Sequence, residues 1–337
     1  MTEYTFGSDV EFPLYHGDKL VPAFDVTDAA KGAVADAEGD ILKGFGYHWD
    51  NVAFEVNSPV AHSMAEFIST HLLLHDNLGD LTSFNPSFTG LRLGTESSVV
   101  LPENILVRPE AGIFGCDPDE SAWLKKDELD SIGKGDKRFF GGHIHIGIDP
   151  LPSKKELMRL VRLLDKYVGV GLVLVSNDDP DRRKYYGSAG RFRIKPYGIE
   201  YRSPSNFWMS SPSTIIWVAN AIQEALAMQD KFKMVYPNAV SAKKVIHAIN
   251  KADRLLASTV APKSKRPTVL DGAQIDRYRA GGSGNSQEWG YFSGPPKMKK
   301  VEVSSVAAYF NAEYPPPVPL ESEEVYDDIE EGHAEPF

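Results

Sequence analysis

The sequence predicts an α+β fold: a curved antiparallel sheet with helices packed on its apolar face. Three observations lead there. Five segments alternate polar and apolar residues with a period of two, the spacing a strand imposes by pointing successive side chains to opposite faces. Four others carry apolar residues at helical spacing. The 337 residues are 42% hydrophobic and 25% charged, a globular composition with enough chain for a sizeable core.

The elements follow in chain order. In residues 6–14, Asp9 and Glu11 share one face while Val10 and Phe12 share the other. In 52–57, Glu55 and Asn57 oppose Phe54 and Val56. Ser58 and Pro59 are the expected N-cap and first residue of a helix with Met64, Phe67, Ile68, His71 and Leu72 on one face and Gly79 as its stop. In 142–149, His143, His145 and Asp149 oppose Ile144, Ile146 and Ile148. Ser153 and Glu156 form a capping-box pattern ahead of Leu157, Leu160, Val161, Leu164 and Val168. In 191–195, Arg191, Arg193 and Lys195 oppose Phe192 and Ile194; in 197–203, Glu200 and Arg202 oppose Ile199 and Tyr201. Helices are expected over 213–235 and 241–257. Residues 281–286 are rich in Gly and Ser and read as a flexible loop. The domain is expected to span 1–313, followed by a Pro-rich, then acidic, mobile tail over 314–337.

Composition excludes several classes. No apolar run approaches ~20 residues, so no membrane span is expected. The N-terminus shows no secretory pattern. The single cysteine, Cys116, excludes an internal disulfide and a multi-Cys zinc site, and a cytoplasmic setting fits. Of the net charge of −11, eight acidic residues lie in 321–337 with no Lys or Arg among them. The rest of the chain is nearly balanced, which argues against a general nucleic-acid binder. No G-x-x-x-x-G-K-[ST] or protein-kinase signature is present.

The polar faces carry the chemistry. An antiparallel sheet with one solvated face would explain the alternation. It explains less well why that face holds carboxylates, two histidines and a cluster of Arg and Lys. If the five strands share one sheet, Asp9, Glu11, Glu55 and Glu200 converge with His143. Four carboxylates that close cannot all stay ionised unaided. Two divalent cations would balance them, and oxygen donors with one imidazole favour magnesium or manganese. Arg193, Lys195 and Arg202 add positive charge suited to a polyphosphate, the arrangement of phosphoryl transfer.

Gly7-Ser-Asp-Val-Glu-Phe12, Phe54-Glu-Val-Asn57, Gly141-Gly-His-Ile-His-Ile-Gly147 and Gly198-Ile-Glu-Tyr-Arg202 together resemble the glutamine synthetase and glutamate–cysteine ligase superfamily. Phe114-Gly-Cys-Asp-Pro-Asp119 and the long block 186–208 look like the phage-type carboxylate–amine ligases, an amidoligase family. The resemblance spans about residues 5–235. It implies a glutamine synthetase-like sheet and an ATP-dependent ligase. In such an enzyme a carboxylate attacks the γ-phosphate of ATP, and an amine displaces phosphate from the acyl phosphate to give an amide or isopeptide bond. The implied metal ligands are Asp9, Glu11, Glu55, His143 and Glu200, for Mg2+ or Mn2+. His145 is placed by the resemblance near the nucleotide phosphates, Arg202 facing the transferring phosphoryl group, and Arg193 and Lys195 at phosphates. Glu55, Glu200 and Arg202 form the implied catalytic set. Glutamine synthetases bring several acids on the second metal strand, whereas this chain has Glu55 followed by Asn57. Asn57, Asp50 or water is left to complete that site, and the metal count stays open.

Other residues have plainer readings. His71 and His75, four apart on a helix, lack the acid of an H-E-x-x-H pattern. Cys116, with Asp117 and Asp119, is expected to shape a substrate loop rather than act as a nucleophile. His62 and His247 read as helix residues, and Phe207, Trp208 and Trp217 as core. Expected partners are small-molecule or peptide carboxylates and amines, with nucleic acid only as a modified-base substrate and no membrane. Two alternatives stand: another metal-dependent phosphotransferase on this scaffold, guanidino-kinase-like, or a non-catalytic binding or virion protein. Glu200→Ala is expected to abolish turnover and leave the fold intact.

Overall fold

The computed structural model describes residues 2–113, 120–123, 135–262, 275, 276 and 278. Its strands are β1 (Glu3–Phe12), β2 (Leu14–His16), β3 (Lys19–Val21), β4 (Ala35–Asp36), β5 (Gly46–Asp50), β6 (Ala53–Asn57), β7 (Leu91–Leu93), β8 (Ser98–Val100), β9 (Glu120–Ser121), β10 (Lys137–Phe139), β11 (Gly142–Asp149), β12 (Arg191–Lys195) and β13 (Gly198–Tyr201). The helices are α1 (Met64–Asp76), α2 (Glu103–Leu106), α3 (Lys154–Leu164), α4 (Val170–Val175), α5 (Arg182–Tyr185), α6 (Pro212–Ala227), α7 (Phe232–Val235), α8 (Ala239–Asn250) and α9 (Arg254–Val260).

Eight strands form one sheet in the order β4-β5-β6-β1-β11-β13-β12-β9, every adjacent pair antiparallel. The class is therefore α+β, and all five predicted strands lie in this one sheet. β1 is central, hydrogen-bonded to β6 on one side and β11 on the other. Smaller sheets pair β3-β2-β7 and β10-β8. Val10, Phe12, Phe54, Val56, Ile144, Ile146, Phe192 and Ile199 are fully buried. They line the apolar face, where α1 and α3 contact the sheet and α6 packs on both helices. Trp208 and Trp217 are core residues; Phe207 is half-buried.

The polar face is not a solvated one. Glu55, His143, Arg202 and Glu200 are 7%, 5%, 5% and 0% exposed. Charged groups placed there must be compensated.

Local signals fare unevenly. The capping box of Ser153 and Glu156 forms. Helix α1 starts later than Pro59 suggests, because Ser63 is its N-cap. Ser58 Oγ instead accepts the Ser8 N–H at 2.9 Å. Residues 213–235 and 241–257 are each interrupted. α6 ends at Ala227. Ala252, at φ 50°, separates α8 from α9, whose N-cap is Asp253. His247 lies in α8, but His62 precedes α1. Gly198, at φ 152°, closes the β12–β13 hairpin, where a Cβ would fall 2.1 Å from the Ile146 carbonyl oxygen. Among the described residues, no helix is long and apolar enough to cross a membrane. Cys116, Asp117, Asp119, the 281–286 loop and the 314–337 tail lie outside the described residues.

Candidate active site

Strand register builds the site. Directly opposed residues on neighbouring strands share a face. Asp9 opposes Asn57 and His143. Glu11 opposes Glu55, which opposes His48. His145 opposes Glu200, which opposes Arg193. Lys195 and Arg202 follow by period two. All nine candidates read from the sequence, Asp9, Glu11, Glu55, His143, His145, Arg193, Lys195, Glu200 and Arg202, thus lie on one face of one sheet.

Two donor groups emerge there. In the first, ligand atoms of Asp9, His145 and Glu200 all lie within 4.8 Å of one another. Asp9 Oδ1 is 3.0 Å from His143 Nδ1, and Asp9 Oδ2 is 3.2 Å from His145 Nε2. Neither Asp9 Oδ1 nor His145 Nε2 makes a hydrogen bond of proper geometry, although both are buried. Atoms this close and yet off line for a hydrogen bond keep electron pairs that a further partner could use. His145, expected at phosphates, is thus a member of this group; His143 stands beside it, 3.6 Å from Glu200 Oε1. In the second group, Glu11, Asp50 and Glu55 place one oxygen each within 4.8 Å of one another. Of the three candidates for the open place, Asp50 is the side chain whose oxygen lies with Glu11 and Glu55; Asn57 donates to Glu55 Oε1 at 3.4 Å. Both groups have the hard oxygen donors, and the first an imidazole, that suit magnesium or manganese. The residues present fit such ions.

Glu200 is the counter-ion for the basic cluster. Lys195 Nζ is 2.7 Å from Oε2, Arg193 Nη1 is 3.6 Å from Oε1, and Arg202 Nη1 donates to Oε1. Burial and the Asp9 charge push the Glu200 carboxyl up, but His143, Arg202 and His145 pull it down to about 2. Burial also works against ionised Asp9, yet His145 and His143 hold it well below its ordinary value. Burial disfavours the charged form of His145, but Asp9 and Glu200 raise it. Glu55 differs: burial, then Asp9, Glu11 and Asp50, raise it well above the usual carboxyl range. A bound cation would relieve that crowding.

Second contacts orient these groups. Tyr197 Oη bonds His145 Nδ1, leaving Nε2 toward Asp9. The Gly141 N–H donates to Glu11 Oε2 at 2.6 Å. A Cβ on Gly141 would fall 2.3 Å from His143 Nε2, so only glycine leaves room for that ring. His71 is on the opposite side, with Nε2 2.7 Å from Ser8 Oγ and Nδ1 2.6 Å from the Phe67 carbonyl. It serves the core, as its helix position suggested. His48, Tyr197 and Gly141 are the contributors that sequence reasoning missed. Only the His48–Trp49–Asp50 alternation hinted at β5.

Residues 136–267 match the family model of phage phiEco32-like COOH-NH2 ligases, type 2. The resemblance to phage-type carboxylate–amine ligases holds. The matched segment contains His143, His145, Arg193, Lys195, Glu200 and Arg202. Asp9, Glu11 and Glu55 lie before it, and strand register joins them to it. No curated protein matches the chain.

Proposed function

We propose that the chain is an ATP-dependent carboxylate–amine ligase on a glutamine synthetase-like sheet, forming an amide or isopeptide bond through an acyl phosphate. The observation that supports this best is the convergence of two acidic donor groups and three basic side chains on one buried face, within a chain that matches a COOH-NH2 ligase family. Asp9, His145 and Glu200, with His143 beside them, would hold one divalent cation, and Glu11, Asp50 and Glu55 another. When bound, such ions draw charge from phosphate oxygens.

The chain's own residues do the rest. A carboxylate and a nucleotide are both anions, and they must approach each other. Arg193, Lys195 and Arg202 place fixed positive charge where little water screens it, which offsets that repulsion. Their shared anchor on Glu200 holds them in place before substrate arrives. Burial of the face limits hydrolysis of an acyl phosphate. The substrates of this reading are a small-molecule or peptide carboxylate and an amine.

The test is ATP turnover with panels of carboxylates and amines. ADP and phosphate release requiring both, with an amide product by mass spectrometry, supports the ligase. A stable phosphorylated product would replace it with a phosphotransferase, and no nucleotide binding with a non-catalytic protein. Arg202→Ala is expected to lower turnover about 10²–10³-fold, the usual loss for one preorganised charge-stabilising donor, with nucleotide affinity changed far less. Equal losses in both would contradict the role given to Arg202.

A further inference from the structure

The second donor group has a neighbour of a different chemical kind. His48 is 3% exposed. It stands in one cross-strand row with Glu55 and Glu11. Neither of its ring nitrogens has a hydrogen-bond partner of acceptable geometry. Nε2 lies 3.6 Å from Glu55 Oε1, and the ring also feels the Asp50 carboxylate and the Asn57 amide. A buried polar atom left unmet costs about 1–3 kcal/mol, so an uncommitted buried imidazole calls for a reason. The contrast with His71 is direct. That ring is equally buried, and both of its nitrogens are engaged. A histidine kept for packing in this protein is satisfied; His48 is not.

We propose that His48 is a nitrogen ligand that completes, with Glu11, Asp50 and Glu55, a divalent-cation site of mixed nitrogen and oxygen donors. The inference rests on the cation-binding part of the function proposed above. Lys31, whose Nζ is 3.4 Å from Asp50 Oδ2 and half-exposed, is a cation that a metal ion can displace from the rim. An imidazole among three carboxylates shifts preference from Mg2+ toward Mn2+ and later first-row ions.

Mn2+ alone, titrated into the full-length protein without nucleotide, tests this. Free Mn2+ is counted by electron paramagnetic resonance, and nitrogen ligands are read from the 14N modulation of the spin echo. The expected result is that His48→Gln weakens one class of Mn2+ site at least tenfold and removes part of the 14N modulation. His145→Gln is expected to affect the other class. His48→Asp, which returns an oxygen donor, should keep Mn2+ within a few-fold while losing the same 14N signal, and it serves if His48→Gln folds poorly. Unchanged affinity and unchanged 14N modulation in both His48 variants would overturn the proposal. Wild-type protein that binds no Mn2+ would overturn the cation reading itself. Binding confined to the Asp9 group would overturn only the role of His48.

Discussion

Glu200 shows how much one residue carries. It is fully buried and balances Lys195, Arg193 and Arg202. The expectation that Glu200→Ala leaves the fold intact is therefore revised. Removing one partner of a buried charge network costs about 3–5 kcal/mol, and denaturant melts of Glu200→Ala should show a loss of that order, with Glu200→Gln losing less. Asp165 is a second such residue, on the apolar side. It accepts from Tyr201 Oη at 2.8 Å and from Trp123 Nε1 at 2.5 Å, and burial outweighs these bonds to push it up to about 6. The native state thus binds this proton more tightly than the unfolded chain. Its contribution is complete below about pH 4 and is lost as pH rises through about 6, on the order of 3 kcal/mol. Asp165→Asn has one acceptor oxygen for three donors, Tyr201, Trp123 and the Gly190 N–H. It should melt earlier than wild type at pH 4 and flatten the stability profile between pH 4 and 6. Residue types on a long alternating strand were legible: Asp9, Glu11, His143, His145 and Glu200 all read from period two. His48 was not, because the alternation of Tyr47, His48, Trp49 and Asp50 runs for only four residues, too short a stretch to mark a strand by itself.

At the scale of elements, β11 and the turn before it set the geometry. Gly141 touches the second donor group and the neighbour of the first, giving its N–H to Glu11 and leaving space for the His143 ring. Gly141→Ala should therefore displace the imidazole, weaken Mn2+ binding at least tenfold, and cost about 1–3 kcal/mol of stability, as overpacking does. Cation binding at wild-type strength would show that the ring has another place to go. Helix ends explain where sequence reading slipped. Ser58-Pro59 and Ser63 with Glu66 both look like starts, and only the second has the acid three residues on. Ser58 is diverted to the Ser8 N–H, a long-range contact that no local pattern announces. The break between α8 and α9 was more accessible, since Asp253 caps Leu256 in the usual way.

At the scale of the molecule, the chain divides into two units, Met1–Gly284 and Asn285–Phe337. Every candidate site residue belongs to the first unit. A chain ending at residue 284 is expected to melt within about 4 °C of the full chain, a shift of about 1 kcal/mol, and to keep cation binding; failure to fold would show that the first unit is not self-sufficient. The antiparallel class and the five core strands were readable because their patterns are regular and local. The sheet order was not, because it depends on which edges meet. That order has one more result. Asp9 and Glu11 leave the same central strand one full pleat apart, a root spacing of about 6.5–7 Å. The backbone is therefore a ruler between the two acidic nests. Carboxylates rooted that far apart enter two separate donor groups rather than sharing one.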